Sequence, residues 1–196
     1  MKYAKAYDRD AALNAALTLF WSRGFHATSI KDLEAALKMR SGSIYAAFKS
    51  KENLYALALE RYFTASQRAF EKDVLDASSP LEGLVEMIRR IGRKGDMLGQ
   101  PCMLIKAVIT ATEDTAETAE LARNYRRQMD ENMKRGFLKA LEIGEIASET
   151  DVDALSHQYQ SDVLGLQIEA QMVMDRESFA ETVAKKAQEY ADLRVS

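Results

Sequence analysis

From Arg9 to Tyr62 the sequence divides itself into helices, and its capping residues leave little room for any other secondary structure. Asp8 is placed to cap a helix whose apolar residues Leu13, Ala16, Leu17 and Phe20 fall at helical spacing, and Gly24 supplies the left-handed stop. Phe25 follows where it folds back onto Phe20. Thr28 or Ser29 starts a second helix with Ile30, Leu33 and Leu37 inside; with Ser29 as the cap, Asp32 lies three residues on, as a capping box requires. A short third helix over about Ser41 to Phe48 sets Ile44 and Phe48 four residues apart, on one face. Ser50 then caps a fourth helix that opens at Lys51.

The outer face of the third helix is Ser41, Gly42, Tyr45, Ala46 and Lys49, with no bulky aliphatic side chain. Gly42 inside a helix costs roughly 1 kcal/mol relative to alanine, a cost that a backbone approaching another molecule closely would justify. Small side chains permit close approach to phosphates, and alanine methyls touch thymine methyls in a DNA major groove. Lys51 conflicts with the positive end of its helix unless Glu52 offsets it or a phosphate binds beside it. The competing reading of the third helix is a poorly formed surface turn.

The charge distribution agrees with a nucleic-acid surface at one end. The whole chain carries a formal charge of −3, yet residues 1 to 51 hold nine Lys/Arg against four Asp/Glu, which leaves −8 on the rest. A basic head on an acidic body is the reading. The single cysteine, Cys102, excludes an intrachain disulfide and suits a reducing compartment. The opening MKYAKAYDRDAAL has no apolar run after its basic residues, and no window approaches the roughly 20 apolar residues of a membrane span. A cytoplasmic protein that contacts no membrane is expected.

The tokens AALTLF, RGF, ATS followed by IKDL, GSIYAAF and SKENL stand in order between Ala12 and Leu54. Together, at this spacing, the segment resembles the DNA-binding head of TetR/AcrR-type transcriptional regulators. PCMLIKAV from Pro101 and TDVDALSHQYQSDVLGLQ from Thr150 are similar to the ligand-binding bodies of one subset. The resemblance implies an all-α fold of about nine helices. A three-helix helix-turn-helix head would occupy residues 1–50 and an effector-binding and dimerisation body residues 51–196. It also implies a ligand-responsive regulator, a repressor by expectation, that binds a palindromic double-stranded DNA operator as a homodimer and is released by a small-molecule effector. No cofactor or metal is expected.

Matched residue by residue, the resemblance places Thr28 and Ser29 at the start of the second helix, where the family touches phosphate, and Lys31 nearby. Ser41, Gly42, Ser43, Tyr45 and Ala46 fall on the recognition helix, with Lys49 on its outer face. Tyr45 would hold a phosphate, Ser41, Gly42 and Ala46 would lie closest to base edges, and Lys51 would contact phosphate. Two positions depart from the pattern. Lys38 stands where glycine is common and must meet any positive φ at a steric cost. Arg40 stands where a capping serine or threonine is common, which leaves Ser41 as an alternative cap one residue later. Arg40 is also the candidate for bidentate guanine reading.

The body reads as long amphipathic helices, such as Thr115 to about Ile143, with Tyr125, Met129, Met133, Phe137 and Leu141 at four-residue steps. The other spans are Lys51 to about Asp76, Leu81 to Met97, Cys102 to Ala111, Asp151 to Met174 and Ser178 to Leu193. The last two are expected to pair across a dimer axis. Tyr62, Met87, Cys102, Met103, Tyr125, Met129 and Tyr159 are candidates for lining an effector site, set against the plainer reading that they are core. Cys102 is either a small buried hydrophobe or a thiol sensor favoured by a helix N-terminus and Lys106. His26 and His157 lie in separate regions and no catalytic or phosphate-loop motif is present, so no enzyme is expected. The rival is a helical ligand-binding or adaptor protein without DNA binding.

Overall fold

Capping decides where the helices begin. In the computed structural model, which describes residues 8–93, 100–172 and 175–195, α1 (Arg9–Arg23) starts where the Asp8 carboxylate accepts the Asp10 and Ala11 N–H groups, at 3.0 and 3.1 Å. It stops at Gly24, whose φ of 82° suits a residue without Cβ. α2 (Ile30–Leu37) opens on a reciprocal capping box: Ser29 Oγ accepts the Asp32 N–H, and Asp32 Oδ2 accepts the Ser29 N–H at 2.9 Å. α3 (Ser41–Phe48) is followed by α4 (Lys51–Phe70), where Ser50 Oγ accepts the Asn53 N–H. Beyond lie α5 (Pro80–Ile91), α6 (Met103–Ile109), α7 (Ala116–Glu142), α8 (Val152–Met172) and α9 (Arg176–Ala191). Among the described residues the fold is all-α with nine α-helices, as expected.

Several helix ends differ from the sequence reading, each for a local reason. The helix expected to run to Asp76 changes at Glu71–Leu75 into a π turn, closed by the Asp76 N–H on the Glu71 carbonyl. The wider turn lets consecutive residues Val74 and Leu75 both face inward. α5 stops at Ile91 with Gly92 as its C-cap, short of the expected Met97, which lies outside the described residues. α6 begins at Met103 rather than Cys102. A 3₁₀ turn at Glu113–Thr115 precedes α7. The expected end of α8 at Met174 also lies outside the described residues, whereas α9 begins at Arg176, ahead of the expected Ser178, because Asp175 supplies the cap.

The chain forms two compact units, Met1–Ala65 with Met103–Tyr125, and Ser66–Cys102 with Arg126–Ser196. In the first, α1, α2 and α3 enclose Phe20, Leu33, Ile44 and Phe48, all buried. Phe20 packs on Phe25 (6.3 Å between ring centroids) and edge-on against Tyr55 of α4 (5.0 Å). Arg61 fastens α4 to α1, donating to the Asp10 carbonyl and carboxylate, both at 2.8 Å, and to Asn14 Oδ1. α6 belongs to the same unit: Lys106 Nζ donates to the Trp21 carbonyl at the end of α1 (2.6 Å), and His26 Nε2 lies 3.0 Å from the Thr110 carbonyl oxygen.

The second unit is built on α5, whose Leu81, Leu84, Val85, Ile88 and Ile91 share one face and join a core with Phe179, Val183, Ala187 and Tyr190 of α9. Tyr159 of α8 is fully buried there, donating its hydroxyl to the Leu84 carbonyl at 2.8 Å and meeting the Phe137 and Tyr190 rings. Gly83 lets α5 lie directly against the π turn, since a Cβ at that position would stand 2.2 Å from the Asp73 carbonyl oxygen. Glu145 closes the unit: its carboxylate accepts the Leu81 N–H at the start of α5 and the Arg194 guanidinium from beyond α9.

Candidate nucleic-acid interface

The recognition helix expected from the sequence is held from three sides, and the fourth is open. Ile44 and Phe48, each 1% exposed, anchor α3 in the core. At its N-terminal end Arg40 occupies the cap position without a side-chain capping bond, and the Glu34 carboxylate of α2 accepts the Ser41 N–H instead, at 2.6 Å. Ser41 is therefore the first helical residue and not the cap that the sequence left as an alternative. At the other end, Asn53 of α4 donates its amide to the Phe48 carbonyl at 2.8 Å. Sequence reading missed both Glu34 and Asn53; the signal for the first was the non-capping residue at Arg40, which required a substitute.

The open side carries most of the expected contact residues together. Gly42, Ser43, Tyr45, Ala46 and Lys49 are exposed on α3 and its C-cap, Ser41 is half-buried beside them, and Lys31 and Arg40 are exposed on α2 and the turn. Tyr45 is 46% exposed, a large value for a phenol ring on a helix with a buried opposite face. Lys38 takes the left-handed conformation, φ 54°, and Lys49 also has a positive φ of 68°. Among the described residues nothing needs glycine at Gly42: its backbone is helical, and a Cβ built there meets no atom within 4 Å.

Three expected residues behave differently. Thr28 is fully buried and donates its hydroxyl to the Gly24 carbonyl at 2.6 Å, so it closes the α1–α2 turn instead of facing outward. Ser29 is exposed, but its hydroxyl is engaged by Asp32. The Asp32 carboxyl is held below the usual range by its bonds with Ser29 and by the Arg23 charge, which outweigh desolvation. Lys51 is half-buried with its ammonium 4.1 Å from the centroid of the Phe25 ring, a cation–π contact that relieves the expected conflict at the start of α4.

The effector-lining candidates fall in both units. In the first, Met103 is buried, Tyr62 packs edge-on against Trp21, and Tyr125 stacks on Phe63 with ring centroids 4.4 Å apart. Burial, with the Glu60 charge adding to it, raises the Tyr125 hydroxyl pKa. In the second, Met87 and Met129 are half-buried, Cys102 is buried, and Tyr159 is a core residue whose hydroxyl is already bonded. A surface cleft of about 470 Å³ opens beside the π turn, bordered by Glu71, Asp76, Arg135, Leu138, Lys139 and Glu142, and none of the candidates lines it. Among the described residues there is no cluster of metal-ligating side chains and no helix long and apolar enough to cross a membrane.

Known proteins share both the head and the full-length architecture. Residues 12–58 match the family model described as "Bacterial regulatory proteins, tetR family". The HTH-type transcriptional repressor ComR of Escherichia coli (strain K12) is 27% identical over 169 residues, 85% of this chain and 80% of ComR. A cysteine-substituted variant of the TetR family transcriptional regulator CifR, solved with 26-base-pair operator DNA, superposes with a TM-score of 0.81 at 26% identity, covering 94% of this chain and 97% of that one. A TetR family regulator from Cytophaga hutchinsonii has the same fold over the full length of both chains, with a TM-score of 0.81 at 20% identity. With α3 placed and capped as described, the head of this chain, residues 12–58, is that of the TetR family of bacterial transcriptional regulators.

Proposed function

We propose that the chain is a transcriptional repressor that binds operator DNA through the open face of α3 and is released by a small effector. The observation that carries this reading is the presentation of α3. Its inner face and both ends are fixed by Ile44, Phe48, Glu34 and Asn53, while the outer face offers small polar groups, one phenol and flanking cations. That combination suits a major groove bordered by phosphates. ComR is named a transcriptional repressor and the CifR variant was solved on its operator, which supports the same assignment here.

In this reading Ser41, Gly42, Ser43 and Ala46 approach base edges, Arg40 reads guanine, and Tyr45, Lys31, Lys49 and Lys51 hold phosphates, Lys51 after leaving the Phe25 ring. Ser29 contributes by capping α2, its N–H and hydroxyl both engaged by Asp32. The head over residues 1–50 is the DNA-binding domain and residues 51–196 form the effector-binding and dimerisation domain. Two copies pair through α8 and α9, where Ile168 and Met172, 54% and 75% exposed, stand one turn apart on α8. The effector acts by favouring one of two spacings of the paired heads, and affinity for DNA falls by its differential affinity for them. The protein works in the cytoplasm and has no catalytic role.

The test is a binding titration against the promoter upstream of the chain's own gene, at several salt concentrations. Tight binding that weakens steeply with salt supports the proposal. Binding no tighter than to an unrelated duplex would leave the helical adaptor as the better reading.

A further inference from the structure

Glu34 closes one helix and opens the next. Its backbone carbonyl accepts the N–H groups of Lys38 and Met39, ending α2, and its carboxylate accepts the Ser41 N–H, beginning α3. The whole α2–α3 turn is therefore fastened to a single residue. Arg40 holds the cap position in extended conformation, φ −78° and ψ 149°, and its carbonyl accepts the Ser43 and Ile44 N–H groups at 2.9 and 3.0 Å. Its side chain makes no capping bond and is exposed. A serine or aspartate at that position would satisfy the helix locally, but its short side chain would be turned onto the α3 backbone. Here a half-buried carboxylate seven residues before Ser41 holds the first N–H of α3, and the cap position carries a long guanidinium.

We propose that Glu34 is a positioning residue for operator recognition: by taking the Ser41 N–H from α2 it fixes the start of α3 and leaves the Arg40 guanidinium available to read a base. The inference rests on the assignment of α3 to the major groove. It separates two roles that one capping side chain ordinarily combines with occupancy of the cap site. Glu34 sets the angle and register at which α3 leaves the turn, and Arg40 gains a planar, two-pronged donor suited to the O6 and N7 acceptors of guanine. Glu34 itself needs no contact with DNA.

The experiment uses the full chain, an operator duplex recovered by the wild-type protein from a random-sequence pool, and poly(dI-dC) as the non-specific duplex. The readout is the ratio of the two affinities and the salt dependence of operator binding. Glu34→Ala is expected to lower the ratio about fivefold to tenfold with the salt slope unchanged, because phosphate contacts remain while the base-facing group is misplaced. Glu34→Gln keeps an acceptor oxygen and should retain the wild-type ratio. Arg40→Ser lowers the ratio by removing the guanidinium and restores a local cap. In the double variant Glu34→Ala with Arg40→Ser, which keeps α3 capped even where Glu34→Ala alone destabilises the head, the ratio should fall no further than in Arg40→Ser alone. A wild-type ratio in Glu34→Ala, equal damage from Glu34→Gln, or additive losses in the double variant would each overturn the proposal. A wild-type chain that enriches no duplex from the pool and binds none above poly(dI-dC) would instead strike at the DNA-binding assignment.

Discussion

Replacing Gly42 with alanine separates what the fold needs from what the partner needs. Gly42 is the second residue of α3, its backbone is helical, and an added Cβ meets nothing within 4 Å in this chain. Folding therefore gains from the change. The interior helix difference between the two residues is about 1 kcal/mol, and in a first turn roughly half of that is realised, so about 0.5 kcal/mol of stabilisation is expected. For a chain of this size that raises Tm by about 1 to 2 °C. In the groove the same methyl has no room if the α3 backbone lies against base edges, and inserting a methyl into a close-packed contact costs about 1 to 3 kcal/mol. Each head of a dimer meets this cost, so operator affinity should fall by at least about tenfold. Thermal unfolding without DNA and a titration with operator read the two effects separately. A Gly42→Ala variant that is more stable and binds operator as wild type does would refute the close approach. A less stable one would mean that the chain itself requires the glycine.

Gly83→Ala is the opposite case, since its Cβ would stand 2.2 Å from the Asp73 carbonyl oxygen; α5 and the π turn must separate, and a loss of about 2 to 3 kcal/mol in denaturant unfolding is expected. Lys38 already adopts φ 54°, so Lys38→Gly should raise stability by about 0.5 to 1 kcal/mol, whereas Lys38→Val should lower it. The Glu145 carboxyl is affected most by burial, which raises its pKa. The hydrogen bonds from Ser79, the Leu81 N–H and Arg194, together with the Arg194 charge, outweigh burial and leave it below the ordinary 4.5. Its contribution is therefore fully present above about pH 4.5 and is lost as pH falls through the lower folded value. Glu145→Gln should flatten that part of the acid limb in unfolding measured between pH 7 and pH 3, and an unchanged limb would remove Glu145 from the account.

The head was legible in the sequence because its signals are local. Asp8, Gly24, the Ser29–Asp32 box and Ser50 act within three or four residues of their partners, and the structure uses all of them. Glu34 escaped notice because it acts at a sequence separation of seven, across a turn, where no periodic pattern announces it. Thr28 was misplaced for a related reason. A hydroxyl near a helix start reads equally as an outward contact or as a bond to the preceding turn, and Thr28 makes the second, buried and donating to the Gly24 carbonyl. In the body, aromatic and methionine residues at helical spacing announce an apolar face without saying whether a ligand or another helix covers it. Tyr159 turned out to face other rings and the Leu84 carbonyl.

The charge of +5 on residues 1–51 overstates what the head offers to DNA, because some of those cations are engaged internally. Arg23 pairs with Asp32 at 2.8 Å and Lys51 lies over the Phe25 ring. Lys31, Lys38, Arg40 and Lys49 are exposed and make no ion pair among the described residues. With Lys51, which leaves the Phe25 ring on binding, five cations per head make ten per dimer, and if all neutralise phosphates the logarithm of affinity should fall against that of salt with a slope of about −9. If Arg40 reads a base instead, eight remain and the slope is about −7. A measured slope shallower than about −2 would mean that these side chains do not reach the backbone. Two variants then divide charge from hydrogen bonding. Lys31→Ala removes one cation from each head and should make the slope shallower by about 2. Tyr45→Phe should weaken binding at every salt concentration by a similar factor and leave the slope alone, because a phenol that donates to phosphate displaces no counterion.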